Sequence, residues 1–296
     1  MHSKVVAIIL SCVFLLITSA VADDTQGSSS LTPQIIPRPD HVVIVIEENK
    51  SYKLIIGNKA AKYINHLAKD GALFTNSFAI THPSQPNYLA LFSGSTQGVT
   101  DDSCGITVTG ENLASALIKK GFSFAIYSES MPTVGDTRCF TENHYYVRKH
   151  NPVVNWQDQN LPPEVNMPFD NFPSAYEKLP TVSIVIPNIV DDMHDGPAVK
   201  DQIIQGDHWL EQNLDAYVKW AKTHNSLLIL TWDEDDYSSI NNIPTIFVGP
   251  MVKRGKSDMH IDHFNILRTV EDMYALTPIG NSQNVDHVQN VWQASN

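Results

Sequence analysis

Val42-Val43-Ile44-Val45-Ile46 runs straight into Glu47-Glu48-Asn49, and Leu227-Leu228-Ile229-Leu230-Thr231-Trp232 runs straight into Asp233-Glu234-Asp235-Asp236. Unbroken β-branched and aliphatic runs, with no polar alternation, suit strands inside a parallel sheet covered by helices on both faces. Ligands of such sheets collect beyond the carboxyl ends of the strands. The two acid clusters then share one rim, which suits a metal ion; either cluster taken alone reads more simply as solvated loop acids or helix N-caps.

Outward from these strands, residues 60–70 have helical spacing (Ala60, Tyr63, Ile64, Leu67, Ala68) and stop at Gly71, a natural C-cap, before a strand over 72–80. Pro83 and Pro86 bracket Ser84 ahead of a helix over 87–93 that Gly94 ends. Further helices are predicted over 111–120, 206–222 and 262–276, and strands over 122–127, 181–186, 226–232 and 243–248. This alternation predicts an α/β three-layer sandwich with a mostly parallel central sheet. Residues 131–180 carry seven prolines and scattered aromatics without periodicity. So long a connection is usually functional or a binding surface.

The 296 residues fit one large domain. Residues 1–22 join His2 and Lys4 to an apolar stretch from Val5 to Ile17 and then Ser19-Ala20-Val21-Ala22, a secretory signal cleaved after Ala22. It is shorter than the roughly 20 residues of a membrane span. Residues 23–40, rich in Ser, Thr, Gln and Pro, read as a flexible leader, and 41–296 as the single catalytic domain. The expected destination is extracellular, or a lysosome or vacuole, without stable membrane insertion. A formal charge of −12 argues against nucleic acid as a partner. Cleavage removes Cys12 and leaves Cys104 and Cys139, read as one disulfide that staples the segment around Met131 to Tyr146; two unpaired buried thiols are the alternative. Asn49-Lys50-Ser51 is formally a glycosylation acceptor, expected to stay unmodified because Asn49 is needed at the rim.

Three more stretches carry candidate chemistry. Ser84, after a strand and at a helix start, has a helix dipole and free N–H groups to favour an anion beside it, and nearby acids to hold a metal that lowers its pKa; the plainer reading is an N-cap. Asp191-Asp192-Met193-His194-Asp195-Gly196 follows another strand and suits a divalent cation or a phosphate-facing imidazole, or else a polar turn. His260-Ile261-Asp262-His263 precedes an amphipathic helix, with Asp262 as N-cap and His263 as a site residue, or both at the surface.

The ordered set Glu48-Asn49-x-Ser51-aromatic, Pro83-Ser84-x-Pro86-Asn87 with a downstream Ser93-Gly94, Asp191-Asp192-Met193-His194-Asp195-Gly196, Trp232-Asp233-Glu234 and His263-Phe264-x-Ile266-Leu267-Arg268-Thr269-x-Glu271-Asp272 resembles the phosphoesterase family. That family contains acid phosphatases and phosphatidylcholine-type phospholipases C within the alkaline-phosphatase-like superfamily. The likeness runs from residue 41 to about 277. It implies a divalent metal ion, of a kind the motifs leave open, held by Glu48, Asn49, Ser84, Asp233 and Glu234. Ser84 corresponds to the nucleophile, His194 and His263 to histidines near the phosphate, and Asn49, Asn87 and His194 to substrate-binding groups. Asp192 and Asp195 match less firmly; Glu47, Asp235 and Asp236 are left as flanking acids.

The implied activity is that of a secreted metal-dependent acid phosphatase acting on small phosphate monoesters through a phosphoseryl intermediate. A phospholipase C-like phosphodiesterase is the nearest alternative. Its choline-type headgroup could be caged by aromatics of the 131–180 segment (Phe140, Tyr145, Tyr146, Trp156, Phe169, Phe172), although packing in the core suits them better. A non-catalytic secreted phospho-ligand-binding protein is the second alternative.

Overall fold

Every residue between His41 and Glu47 is apolar, and the strand they form, β1 (His41–Glu47), lies inside an eight-stranded sheet. The computed structural model describes residues 1–2 and 36–294; the rest of the predicted signal segment, and the leader up to residue 35, lie outside the described residues. Gln34–Asn296 forms one compact unit. After β1 come α1 (Tyr52–Ile55), α2 (Lys62–Asp70), β2 (Ala72–Phe74), β3 (Ser77–Phe78), α3 (Ser84–Ser93), α4 (Leu113–Lys119), β4 (Phe124–Ser128) and β5 (Asn166–Pro168). The chain continues through β6 (Val182–Ile186), α5 (Val199–Ala221), β7 (Ser226–Trp232), β8 (Thr245–Val248), β9 (Gly255–Ser257), β10 (Ile261–Asp262) and α6 (His263–Met273).

The strand order is β5-β4-β6-β1-β7-β8-β2-β9. From β5 to β7 all neighbours are parallel; β8 runs antiparallel to β7 and β2, and β9 parallel to β2. Val42, Ile44 and Ile46 pack with Tyr88, Phe92, Leu117, Ile266 and Val270 on the side of α3, α4 and α6. Val43 and Val45 pack with Ile64, Leu67, Leu210 and Tyr217 on the side of α2 and α5. Strand residues alternate between faces, so a two-sided apolar strand requires both helical layers. The structure is therefore the predicted α/β three-layer sandwich with a mostly parallel sheet.

Three elements depart from the sequence reading. The strand over 72–80 breaks after Phe74: Ser77 and Phe78 leave the main sheet to pair with β10, and Ser77 Oγ bonds Thr245 Oγ1 at 2.7 Å. That departure carries the chain across to the rim, where α3 starts at Ser84 rather than Asn87. Helix α5 starts at Val199, so Gly206 lies in its middle instead of opening it; a Cβ there would stand 2.5 Å from Cγ of the buried Met193. Residues 131–180 are irregular as expected, apart from 3-10 turns and the short edge strand β5. Cys104 and Cys139 are joined, their Cα atoms 5.7 Å apart. No helix among the described residues is long and apolar enough to cross a membrane.

Gly94 ends α3 with φ 69°, in the left-handed region, and a Cβ on it would meet Ile279 O at 2.1 Å. Gly94→Ala therefore incurs both the left-handed penalty and a clash with main chain that a rotamer change does not relieve. It should destabilise the protein by about 2–4 kcal/mol, read as a lowered thermal midpoint; an unchanged midpoint would contradict this packing.

Candidate active site

The rim is assembled by backbone bonds that continue the sheet past its strands. Asp233 N donates to Glu47 O at 2.9 Å and Glu48 N to Asp192 O at 2.8 Å, so the acids after β1, β6 and β7 are held side by side. Glu47 and Glu48 alternate in direction as strand neighbours do. Glu48 meets α3: Ser84 Oγ donates to its Oε2 at 3.0 Å, and Tyr88, one helical turn later, donates to its Oε1 at 2.7 Å. Ser84 Oγ also lies 3.5 Å from Glu234 Oε1. Glu47, by contrast, has burial and the nearby Asp191 to push its pKa well up, and neither of its oxygens has a hydrogen-bond partner.

Four carboxyl groups converge here almost without solvent: Glu48, Asp192, Asp233 and Glu234 are buried, as is Ser84 at 2% exposure. Burial first, and then the charge of Asp233, raises Glu48 to about 8. Burial and Glu48 raise Glu234 to about 9. Asp233 and Asp192 are pushed well above the usual carboxylate range, by burial and then by Glu234 and Glu48 respectively. Shifts of this kind mark carboxyl groups crowded together out of water, where a bound cation would favour their charged forms.

Unsatisfied atoms point the same way. Asn49 Oδ1, Asp233 Oδ2, Asp192 Oδ2 and His263 Nδ1 are buried without a hydrogen-bond partner. Asn49 adopts φ 52°, and its N–H donates to Asp233 Oδ1 at 3.2 Å. His150 stands with Nε2 3.0 Å from Glu48 Oε1 and Nδ1 3.2 Å from Asp192 Oδ2, yet at angles that make neither a hydrogen bond. Glu48, His150 and His194 each offer a ligand atom, all within 4.8 Å of one another. Carboxylate and amide oxygens beside imidazoles fit a divalent cation between the hard and borderline classes.

The remaining candidates are placed as follows. His194 lies on the loop after β6 and is partly exposed; its N–H donates to Asp192 Oδ1 at 2.8 Å, and Nδ1 faces Asp195 Oδ1 at 2.8 Å. Lys149 Nζ lies 3.3 Å from its Nε2, which makes Nε2 the acceptor and Nδ1 the protonated nitrogen. His263, first residue of α6, is fixed by Nε2 against Asp233 O at 2.7 Å, and burial lowers its pKa. Asn87 reaches Glu234 Oε2 at 3.5 Å, but its amide is used mainly on the loop before Ser84, through Ile80 N, Thr81 N and Thr81 O.

The start of α3 does not present the set of free N–H donors that the sequence suggests for an anion: Pro86 has no N–H, and Gln85 N is already bonded to Asp102 Oδ1 at 2.9 Å. Sequence reasoning also passed over His82, whose Nδ1 is 2.8 Å from Glu234 Oε2, as well as Tyr88, Lys149 and His150. Tyr88 had a signal, its helical spacing from Ser84; Lys149 and His150 lie in the aperiodic segment and had none.

A protein-family model described as the phosphoesterase family matches residues 58–277. The chain belongs to the phosphoesterase family. It is accordingly a hydrolase acting on phosphoric esters, and the motif resemblance is confirmed. A phosphatidylinositol-3-phosphatase of Mycobacterium tuberculosis is 47% identical over 265 residues, which cover 88% of this chain and 86% of that protein. A phosphate-repressible acid phosphatase of Penicillium chrysogenum is 32% identical over 232 residues, covering 73% of this chain and 55% of the other. An acid phosphatase of Aspergillus fumigatus is 29% identical, with coverage of 79% and 54%. This phosphoesterase thus spans little more than half the length of those fungal relatives.

Solved structures share its fold at low identity. A protein in the alkaline phosphatase superfamily from Vibrio parahaemolyticus superposes with a TM-score of 0.60 at 11% identity, covering 86% of this chain and 72% of the other. A phosphonate monoester hydrolase from Silicibacter pomeroyi gives 0.54 at 10% identity, with 84% and 76% covered.

The raised carboxyl pKa values fix a direction for stability. In cation-free protein, Glu48 and Glu234 keep protons that the unfolded chain loses above the ordinary carboxyl value of 4.5, so their contribution to stability is fully present below that pH and is lost progressively as pH rises through about 8 to 9. Thermal melts in chelator should fall from pH 5 to pH 8.5, and an added divalent cation should raise the midpoint more at the higher pH. A midpoint indifferent to both would contradict the site's electrostatics.

Proposed function

We propose that the chain is a secreted, metal-dependent acid phosphatase that hydrolyses phosphate monoesters through a phosphoseryl intermediate on Ser84. The observation that carries this reading is the Ser84 hydroxyl, buried at the start of α3 and 3.0 Å from Glu48 in a cluster of four buried acids. A divalent cation held by Glu48, Asn49, Asp233 and Glu234 beside Ser84 supplies the positive charge that favours the serine alkoxide and offsets charge on the transferring phosphoryl group.

Ser84 is fixed for attack at phosphorus by its bond to Glu48, through which its hydroxyl proton leaves as the Oγ–P bond forms and which Tyr88 holds from its other oxygen. The leaving alcohol departs opposite Ser84, toward the side where His194 is partly exposed, and that imidazole is placed to donate a proton to the leaving oxygen. Water then attacks the phosphoseryl group from the vacated side and releases phosphate. Asn49 and His263 stand beside Asp233 and help fix the acids in place.

The monoester reading is also supported by the phosphatase names of the relatives. A choline cage gets little support from four of the six aromatics, whereas Phe140 and Tyr145 are exposed and do not pack in the core as expected. Phe169, Phe172 and Tyr176 lie against Trp209, Tyr217 and Trp220 of α5, Trp156 packs on Phe92, and Tyr146 is buried. Secretion rests on the signal segment and agrees with the Cys104–Cys139 disulfide.

Ser84→Ala should reduce turnover of p-nitrophenyl phosphate by at least about 10³-fold with an unchanged melting curve. Retained activity would remove Ser84 as nucleophile. For the wild type, chelation should abolish turnover and p-nitrophenyl phosphate should be preferred to bis-p-nitrophenyl phosphate; an active preparation with no bound metal would refute the metal assignment.

A further inference from the structure

A phosphate monoester brings up to two negative charges to a rim already crowded with acids, and the start of α3 offers it almost no free N–H donor. Fixed positive charge must come from a side chain or from the cation beneath. Of the basic side chains near the rim, Lys50 is turned inward to Met193 O at 2.7 Å, and Arg148 is held by Thr137 O, Val154 O and Asn155 Oδ1. Lys149 is different. Its Nζ bonds Asp102 Oδ2 at 2.9 Å and lies 3.3 Å from His194 Nε2, and its side chain keeps 18% exposure at the same opening as His194.

Asp102 is what ties this ammonium to the reacting end of α3. Its other oxygen accepts from Gln85 N, the amide directly after Ser84. The carboxylate therefore spans from Lys149 to the residue beside Ser84. Two residues beyond it Cys104 is joined to Cys139, whose carbonyl accepts from Arg148 N at 2.8 Å, next to Lys149 in the chain. Both ends of the Lys149–Asp102 pair are thus pinned by one crosslinked frame. An ammonium has three protons: Asp102 and His194 take two, and the third has no acceptor among the described residues.

We propose that Lys149 is the specificity-determining cation of this site: its third N–H binds a nonbridging phosphoryl oxygen and selects doubly charged monoesters over singly charged diesters. The assignment rests on the reading of Ser84 as the phosphoryl acceptor. An ammonium is a compact point charge rather than a fork, so its contribution follows the charge on the phosphoryl oxygens instead of the shape of the alcohol.

The test compares wild type, Lys149→Gln and Lys149→Arg as full chains in the same divalent metal buffer. Rates are measured on p-nitrophenyl phosphate and bis-p-nitrophenyl phosphate, and binding of inorganic phosphate is measured by calorimetry. Lys149→Gln should lower monoester kcat/KM about 30- to 100-fold, mainly through KM, weaken phosphate binding similarly, and change diester kcat/KM by less than about 3-fold. Lys149→Arg should recover most of the loss. Equal losses on both esters, or phosphate binding unchanged in Lys149→Gln, would overturn the proposal.

Wild type that turns over neither ester would refute the Ser84 reading instead, and phosphate calorimetry would still decide the role of Lys149. Should Lys149→Gln not fold, Asp102→Asn keeps the ammonium but unties it. It should cost the monoester about 5-fold more than the diester; equal loss there also overturns the proposal.

Discussion

The parallel pairing of β1 with β7 is the constraint on which the rest of this molecule depends. In register from His41 opposite Ser226 to Glu47 opposite Trp232, the two strands end together, and the bond from Asp233 N to Glu47 O carries the pairing one step further. Two acidic turns are thereby forced into contact at the floor of the rim. Their mutual repulsion is tolerated because the apolar strands behind them are buried on both faces, and sheet burial of that extent outweighs the cost of crowding a few carboxyl groups out of water. The cost appears as raised carboxyl pKa values.

Around this floor, each further element contributes a group whose position follows from its own backbone. The exit of β3 from the main sheet brings His82 and Ser84 over Glu234 and Glu48. Helical periodicity then sets Tyr88 on the same face of α3 as Ser84, so one helix both presents the hydroxyl and steadies its carboxylate partner. The loop after β6 passes under α5 at Gly206, where the missing side chain leaves room for Met193, and so places Asp192 and His194 on either side of it. The irregular segment supplies His150 and Lys149 from above, held in place by the disulfide and by the many carbonyl bonds of Arg148.

Polarity within the site is divided in a way that suits phosphoryl transfer. Negative groups lie deepest, together with the buried imidazoles of His150 and His263, while His82, His194 and the Lys149 ammonium lie toward solvent. The helix start at Ser84, which in isolation suggests an anion hole, is already occupied by Asp102 and lacks a donor at Pro86. The main-chain donors of this helix start are therefore largely spent within the protein.

The sequence by itself determined the layered α/β fold, the shared rim, the Cys104–Cys139 pair and the acids Glu48, Asp233 and Glu234. These depend on local properties: unalternating apolar runs, the acids that end them, and the parity of cysteines. It also singled out Ser84, His194 and His263 through ordered motifs. Only the tertiary structure decided that Glu47 turns away from Glu48, that His150 comes between Glu48 and Asp192, and that Asp102 links Lys149 to the start of α3. Those relations join residues tens of positions apart through an aperiodic, proline-rich segment. No periodicity encodes such contacts, because packing against an already folded sheet, rather than local propensity, sets where the segment lies.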